Sequence, residues 1–512
     1  MHFGWLSILP PIIAIVLALA TKEVISSLLV GILAGALIFT QGSPMGMIET
    51  TFAVMGDRMA ANVSILVFLG LLGALVVIVT KGGGAAAYGN SAVKKIKSRR
   101  VASLATGVLG CIIFIDDYFN CLTVGTVMKP VTDKHRISRA KLSYILDATA
   151  APICIIAPVS SWGASVAGYI EEAGIGNGMN IFLKAIPYNM YALLTIIMVA
   201  IVCLTKLQFG PMAKFEKNAI ETGDLFSNKE AATEETVDDY NKNGKVIDLI
   251  IPILALIVFS VLAMIYTGGG FSGEVGILDS FGNCDSAFSL VLGSFGALAV
   301  TAILYIPRKI LGFKEFFGCI SEGVKSMVGA DIILILAWTI GGICNSDHLG
   351  TGLYVGEVVS GGSFPVFVLP MIIFVVAGFL AFATGTSWGT MALLIPIAGT
   401  ICTSPETSHL ALPILGAILG GAVYGDHISP ISDTTILSST GAGCNHMDHV
   451  STQLIYATTV AVCSALGYLL MGVMGGFAIP FAISLALMCI VLFIANKKSY
   501  EKLSIDYSNV EH

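Results

Sequence analysis

VASLATGVLGCIIFIDDYFNCLTVGTVM, residues Val101 to Met128, is an apolar stretch with a basic cluster at each end. KKIKSRR spans Lys94 to Arg100 and KPVTDKHRISRAK spans Lys129 to Lys141. Loops rich in Lys and Arg face the cytoplasm, so this stretch enters and leaves on the same side. A re-entrant helical hairpin does so, with its tip at Ile115-Asp116-Asp117-Tyr118-Phe119-Asn120. Non-helical backbone is tolerated at that depth only where protein or water covers it, so the tip is expected to line a cavity.

The rest of the chain fits this reading. Of its 512 residues, 55% are hydrophobic and 12% charged, and the mean hydropathy is +0.87. A soluble domain carries about 25% charged residues, so a soluble enzyme is excluded. The net charge of -6 argues against a nucleic-acid partner. Eleven cysteines without a C-x-x-C pair, mostly inside apolar runs, do not form a disulfide framework. The first apolar run, Leu6 to Thr21, lacks a basic n-region and reads as a span, not a signal peptide. A crossing takes about 20 apolar residues. Runs of that kind lie near 7–21, 24–40, 63–80, 142–170 and 181–205, then near 247–267, 288–306, 327–344, 410–440, 452–473 and 478–496. Between the two sets, Lys206 to Lys245 carries six basic and eight acidic residues. The expected fold is an all-α polytopic membrane protein with about eleven transmembrane helices plus two re-entrant hairpins.

The second hairpin comes from an internal comparison. GCIIFIDDYFNCLTVGTVMKP from Gly110 lies over GFLAFATGTSWGTMALLIPI from Gly378, matching Phe114 with Phe382. Further on, APVSSWG from Ala157 lies over SPISDTT from Ser429, matching Pro158 with Pro430 and Ser160 with Ser432. The spacings from Asp117 to Ser161 and from Ser387 to Asp433 are 44 and 46 residues, as two copies of one unit require. No Lys or Arg occurs from residue 326 to residue 496, so the second hairpin, about 362–403, belongs outside. An external N-terminus, eleven crossings and a cytoplasmic C-terminus then place every basic cluster on the cytoplasmic side of the cell membrane and make the halves an inverted repeat. The expected divisions are 1–205, with its hairpin at about 101–128; a cytoplasmic linker, 206–246; a second half, 247–476; and a last helix with a cytoplasmic tail, 477–512.

A charge inside a bilayer costs at least ~2.5 kcal/mol, so acids within apolar segments are the first candidates for chemistry. Asp116 and Asp117 share a hairpin tip, with Asn120 one turn on; the competing reading is a solvated turn. The second cluster runs from Asp426 and His427 through Ser429, Pro430, Ser432, Asp433, Thr434 and Thr435. Its proline breaks the helix, and freed carbonyls, hydroxyls and a carboxylate are the hard ligands a small cation takes. Asp117, Ser432, Asp433 and Thr434 are the expected Na+ ligands. Ser160, Ser161, Thr386 and Ser387 supply further hydroxyls for ion or substrate. Trp162 and Trp388, two of four tryptophans, each lie between a hydroxyl and a glycine at a break, where they either gate the site or anchor an interface. Asp147 and His427 are candidates for a proton relay, weighed against helix-packing hydrogen bonds; Asp331 is a further single acid. Cys444, His446, Asp448 and His449 resemble a metal cluster, but the expected short hydrated loop disfavours it. The Gly82-Gly83-Gly84 run lacks the G-K-[ST] of a P-loop.

GGAVYGDHISPISDTTILSS, Gly420 to Ser439, closely resembles the signature of the NhaC-type sodium/proton antiporter family. IDDYFN, SSWG and TKEVISSLLVGILAGALI near the N-terminus are similar to that family too. The resemblance implies inverted repeats with re-entrant hairpins, homodimers and an elevator motion. It implies sodium/proton exchange in most relatives and malate/lactate exchange in at least one type. The expected function is thus secondary transport, Na+ against H+ at a midplane site by alternating access. The alternative is a Na+- or H+-coupled carrier of a small organic solute such as an amino acid or carboxylate. No cofactor is implied beyond the transported ions. Expected partners are Na+, H+, the lipid bilayer and a second copy of the chain.

Overall fold

The computed structural model describes residues 3–21, 24–114, 117–226, 241–272, 284–345, 347–351, 365–403, 407–430 and 432–503, with residues 276, 280, 354 and 405. Among them the regular structure is entirely helical. Six helices are long and apolar enough to cross a membrane: Val63–Lys81, Ile247–Thr267, Ala287–Tyr305, Ser408–Ile428, His446–Met474 and Ala478–Ser499. Two bent pairs raise the number to eight. Helices satisfy their own backbone groups, which is why they can stand in lipid. The expected eleven crossings are not reached on this criterion, because several expected runs are divided. The 142–170 run is two helices, Arg139–Cys154 and Ser161–Glu172, and the 410–440 run is Ala411–Ile428 and Asp433–Ala442. The 181–205 run bends by 52° before Met190. Helix Pro44–Ala61, which no apolar run announced, folds back at 119° against Ile25–Phe39.

The divisions have local causes. Pro158 and Pro430 supply no backbone donor. In each broken helix a serine restarts the chain: Ser160 accepts from the Gly163 N–H at 2.9 Å and Ser432 from the Thr435 N–H at 3.3 Å. Hairpin 1 consists of Arg99–Ile112 and Asp117–Lys134. Hairpin 2 consists of Leu369–Thr384 and Ser387–Thr403. It turns at Gly385, whose φ of 72° is one that glycine takes at little cost.

The four units pack crosswise. Hairpin 1 lies on the first half of the first broken helix and the second half of the second, and hairpin 2 does the reverse. Glycines permit the close approaches. A Cβ on Gly125 would lie 2.6 Å from the Gly441 carbonyl carbon, and one on Gly425 would lie 2.1 Å from the Gly378 oxygen.

The linker begins as structure rather than as loop. Helix Gly210–Thr222 ends at Gly223, whose φ is 79°. The helix inserts Glu216, fully buried, beneath hairpin 1. Glu216 takes Arg99, Lys141 at 3.5 Å, the Ser138 N–H at 2.9 Å and Gln208 at 3.3 Å. Burial works to raise its pKa, but Arg99 and Lys141 outweigh it and hold the carboxyl below the usual range. The Leu225 carbonyl accepts from the Arg139 N–H at 3.1 Å, extending the seam.

Candidate functional site

Asp117 opens the second helix of hairpin 1 and is buried. Its Oδ1 accepts from Trp162 Nε1 at 3.0 Å. Trp162, at the restart of the first broken helix, meets Trp388 of hairpin 2 with ring centroids 5.4 Å apart and tilted by 55°. The two candidate gate residues thus stand together, joined to one candidate carboxylate. Asp116 lies outside the described residues, as does the Asp433 side chain. Of the expected Na+ ligands, Ser432 and Thr434 pair through their hydroxyls at 3.0 Å, and the Thr434 carbonyl lies 3.9 Å from Cys121 Sγ, one turn beyond Asp117.

Asp426 lies in the last turn of the first half of the second broken helix, Ala411–Ile428. The Ser387 hydroxyl, at the restart of hairpin 2, lies 2.7 Å from its Oδ2 and 3.1 Å from the Ala422 carbonyl. Ser429 donates to the Phe382 carbonyl at 2.8 Å, tying the break to the hairpin tip. The Thr386 carbonyl accepts from Thr390 at 3.1 Å. Asn120 has a positioning role: its Nδ2 donates to the carbonyls of Gly110 and Ile113 at 2.7 and 2.8 Å and lies 3.2 Å from that of Thr149, pinning the tip of hairpin 1. Ser160 is engaged as a cap, its hydroxyl also 2.8 Å from the Cys154 and Ala157 carbonyls. Ser161 is buried beside it.

A second buried group surrounds Asp147. Its Oδ2 accepts from Gln453 Nε2 at 2.5 Å and from Thr435 Oγ1 at 3.3 Å, and lies 3.2 Å from His449 Nε2. Thr435, expected at the ion, is turned into this network. His427, the other expected relay residue, contacts Tyr191 through Nδ1 at 3.0 Å, and its carbonyl accepts from Gln453 at 2.7 Å. His449 was expected in a hydrated loop beside His446. It is fully buried, while His446 caps the Pro430 carbonyl at 2.7 Å. Among the described residues no group of His, Cys, Asp or Glu is arranged to hold a metal. Gln453 and Tyr191 had no place in the sequence reading; the available signal was His449 and Gln453 four apart on an apolar helix, hence on one face.

The model of the Na+/H+ antiporter family matches residues 153–473. The chain belongs to that family. This family member is 40% identical over 508 residues to an uncharacterized protein of Haemophilus influenzae, covering 96% of this chain and 95% of the other. Over 207 residues it is 29% identical to the malate-2H(+)/Na(+)-lactate antiporter of Bacillus subtilis, which covers 36% of this chain and 43% of that one. The YdaH transporter of Alcanivorax borkumensis has the same fold, with a TM-score of 0.56 at 14% identity over 85% of this chain and 90% of that one. The protein is therefore a multi-pass membrane transporter rather than an enzyme. The family match takes in both helix breaks and hairpin 2, and begins after Asp147 and hairpin 1.

Proposed function

We propose that the protein exchanges Na+ for H+ by alternating access at a site between the two hairpin tips and the two helix breaks. The observation that carries this is the pairing of a buried acid with a donor across each tip: Asp117 with Trp162, and Asp426 with Ser387. A buried carboxylate is costly in a membrane, and a small cation or a proton lowers that cost. Each occupant competes with the other, which is the condition for antiport. Asp117 and Asp426 are the central ligands, Asp116 and Asp433 complete the acid set, and Ser161, Thr386, Ser432 and Thr434 supply oxygens. Trp162 and Trp388 close the site between states.

The crosswise packing supports an inverted repeat of 1–205 and 247–476 about hairpins that enter from opposite faces, with the N-terminus outside and residues 206–246 and 477–512 in the cytoplasm. A homodimer in the cell membrane is the assembly we propose. The test is proton movement in proteoliposomes after addition of Na+, Li+ or K+. The Bacillus subtilis relative favours a second reading, Na+- or H+-coupled carboxylate exchange. Silence with every cation, together with flux on adding malate or lactate, would select it.

A further inference from the structure

Asp147 has no part in the exchange site above, yet it is fully buried inside helix Arg139–Cys154. Its ion pair among the described residues is with His449, also fully buried. The cations on its own helix, Arg139 and Lys141, lie about 9 Å or more toward the helix start at ~1.5 Å per residue. They are taken by Asp133 and Glu216. The other ionisable groups around the pair are His427 from the second broken helix, Cys444 and Asp448 beside His449, and Tyr191, whose hydroxyl meets His427 and whose ring packs on Tyr424; the Asp426 carboxylate is turned to Ser387. From hairpin 1 comes Asn120, uncharged, on the Thr149 carbonyl.

The contact between Asp147 Oδ2 and His449 Nε2 leaves Asp147 Oδ1 and His449 Nδ1 buried without a hydrogen-bond partner among the described residues. His449 Nε2 also lies 2.9 Å from Ser438 Oγ, whose hydroxyl donates to the Thr435 carbonyl at 3.1 Å, so Nε2–H is shared between that oxygen and the carboxylate and Nδ1 carries a vacant lone pair. A proton taken there makes an imidazolium against the carboxylate, and one taken on Oδ1 makes a neutral acid. Either way the pair goes from a net charge of minus one to zero, which removes the buried net charge.

We propose that Asp147 and His449 form a proton-binding site separate from the cation-binding acids, and that Gln453 and Thr435 transmit its state to the break at Ser429–Ser432. Gln453 Nε2 bridges Asp147 to the His427 carbonyl, and Thr435 Oγ1 lies 3.3 Å from both Asp147 and the Asp426 carbonyl. A neutral Asp147, or a carboxylate drawn onto the imidazolium, holds both donors less firmly and hands them to those carbonyls, beside the cation site. Carbonyls engaged by donors hold a cation less well, so a bound proton opposes bound Na+, and by linkage the reverse holds equally. The coupling rests on the antiport reading; proton binding at the pair does not.

The experiment combines infrared pH-difference spectra of the purified protein with transport in proteoliposomes, for the parent, Asp147→Asn and His449→Gln. The spectra should show proton uptake by a buried carboxyl–imidazole pair in the parent and lose it in both variants. Asp147→Asn fixes the neutral state, so the sodium concentration needed for radiolabelled self-exchange should rise while its rate at saturating sodium stays within about threefold, and sodium-driven proton movement should fall at least tenfold. His449→Gln keeps a donor for Asp147 but cannot take a proton, so a merely structural role would leave its pH profile unchanged; it also decides the matter if Asp147→Asn does not fold. Parental spectra in a folded variant overturn the site. Loss of sodium self-exchange in a folded Asp147→Asn protein overturns its separateness. A parent that moves no protons with Na+ defeats the antiport reading instead, and the infrared titration then decides the proton site alone.

Discussion

Replacing Glu216 by Gln should release the linker helix from the base of hairpin 1. Arg99 and Lys141 are nearly as buried as Glu216 itself, so removing its charge leaves two cations without their counter-ion. Breaking a buried pair in this way costs about 3–5 kcal/mol. At about 1.4 kcal/mol per factor of ten, the docked state should lose at least about 100-fold in population relative to the undocked one. Amide hydrogen exchange over residues 210–222, measured by mass spectrometry, reads that ratio directly. In the parent the clamp should be flat between pH 5.5 and 8 after correction for intrinsic exchange. A carboxyl held below its usual range, roughly 4.3, contributes stability above its unfolded pKa and loses it only as the pH falls through the lower folded value. Adding Lys141→Met to Glu216→Gln should recover part of the protection, since removing both charges can be nearly neutral. Less than a tenfold change in Glu216→Gln would refute the view that this buried charge holds the linker.

Other substitutions test the packing and the site. Gly425→Ala places a Cβ 2.1 Å from the Gly378 oxygen and should lower thermal stability in detergent and impair transport, whereas Gly318→Ala, with nothing within 4 Å, should be silent in both assays. Trp162→Phe keeps a ring against Trp388 but removes the donor to Asp117. Hydrogen bonds to charged groups contribute about 1.5–3 kcal/mol, and this one stabilises the sodium-free carboxylate, so the KM for sodium should fall by about 10- to 100-fold in concentration-dependent flux. Ser387→Ala, which removes the contact to Asp426, should act in the same direction and more weakly.

Much of the architecture was legible because a few residues impose it locally. Basic clusters on both sides of Val101–Met128 marked hairpin 1, and a proline followed by a capping serine marked each break. Helix Pro44–Ala61 was not legible, because Glu49, Asp57 and Arg58 dilute its apolar character. Its charge is answered only in three dimensions, where Arg58 pairs with Glu172 and Asn62 donates to the same carboxylate at 3.1 Å. The candidate site was legible as a set of residue types at breaks, which put forward Asp117, Asp426 and the two tryptophans as candidates. The partners were not: Asp147 and His449 are 302 residues apart, and no local pattern joins residues at that distance. Glu216 was hidden for the same reason, as one acid among eight in a hydrophilic stretch.

The most direct measurement of exchange at the hairpin tips is lumenal pH in proteoliposomes given a pulse of Na+, for the parent, Asp117→Asn and Asp426→Asn. Sodium-dependent alkalinisation in the parent, lost in both variants while the folded protein is retained, is the expected result. A parent that moves no protons with Na+, or two variants that match the parent, would contradict the assignment.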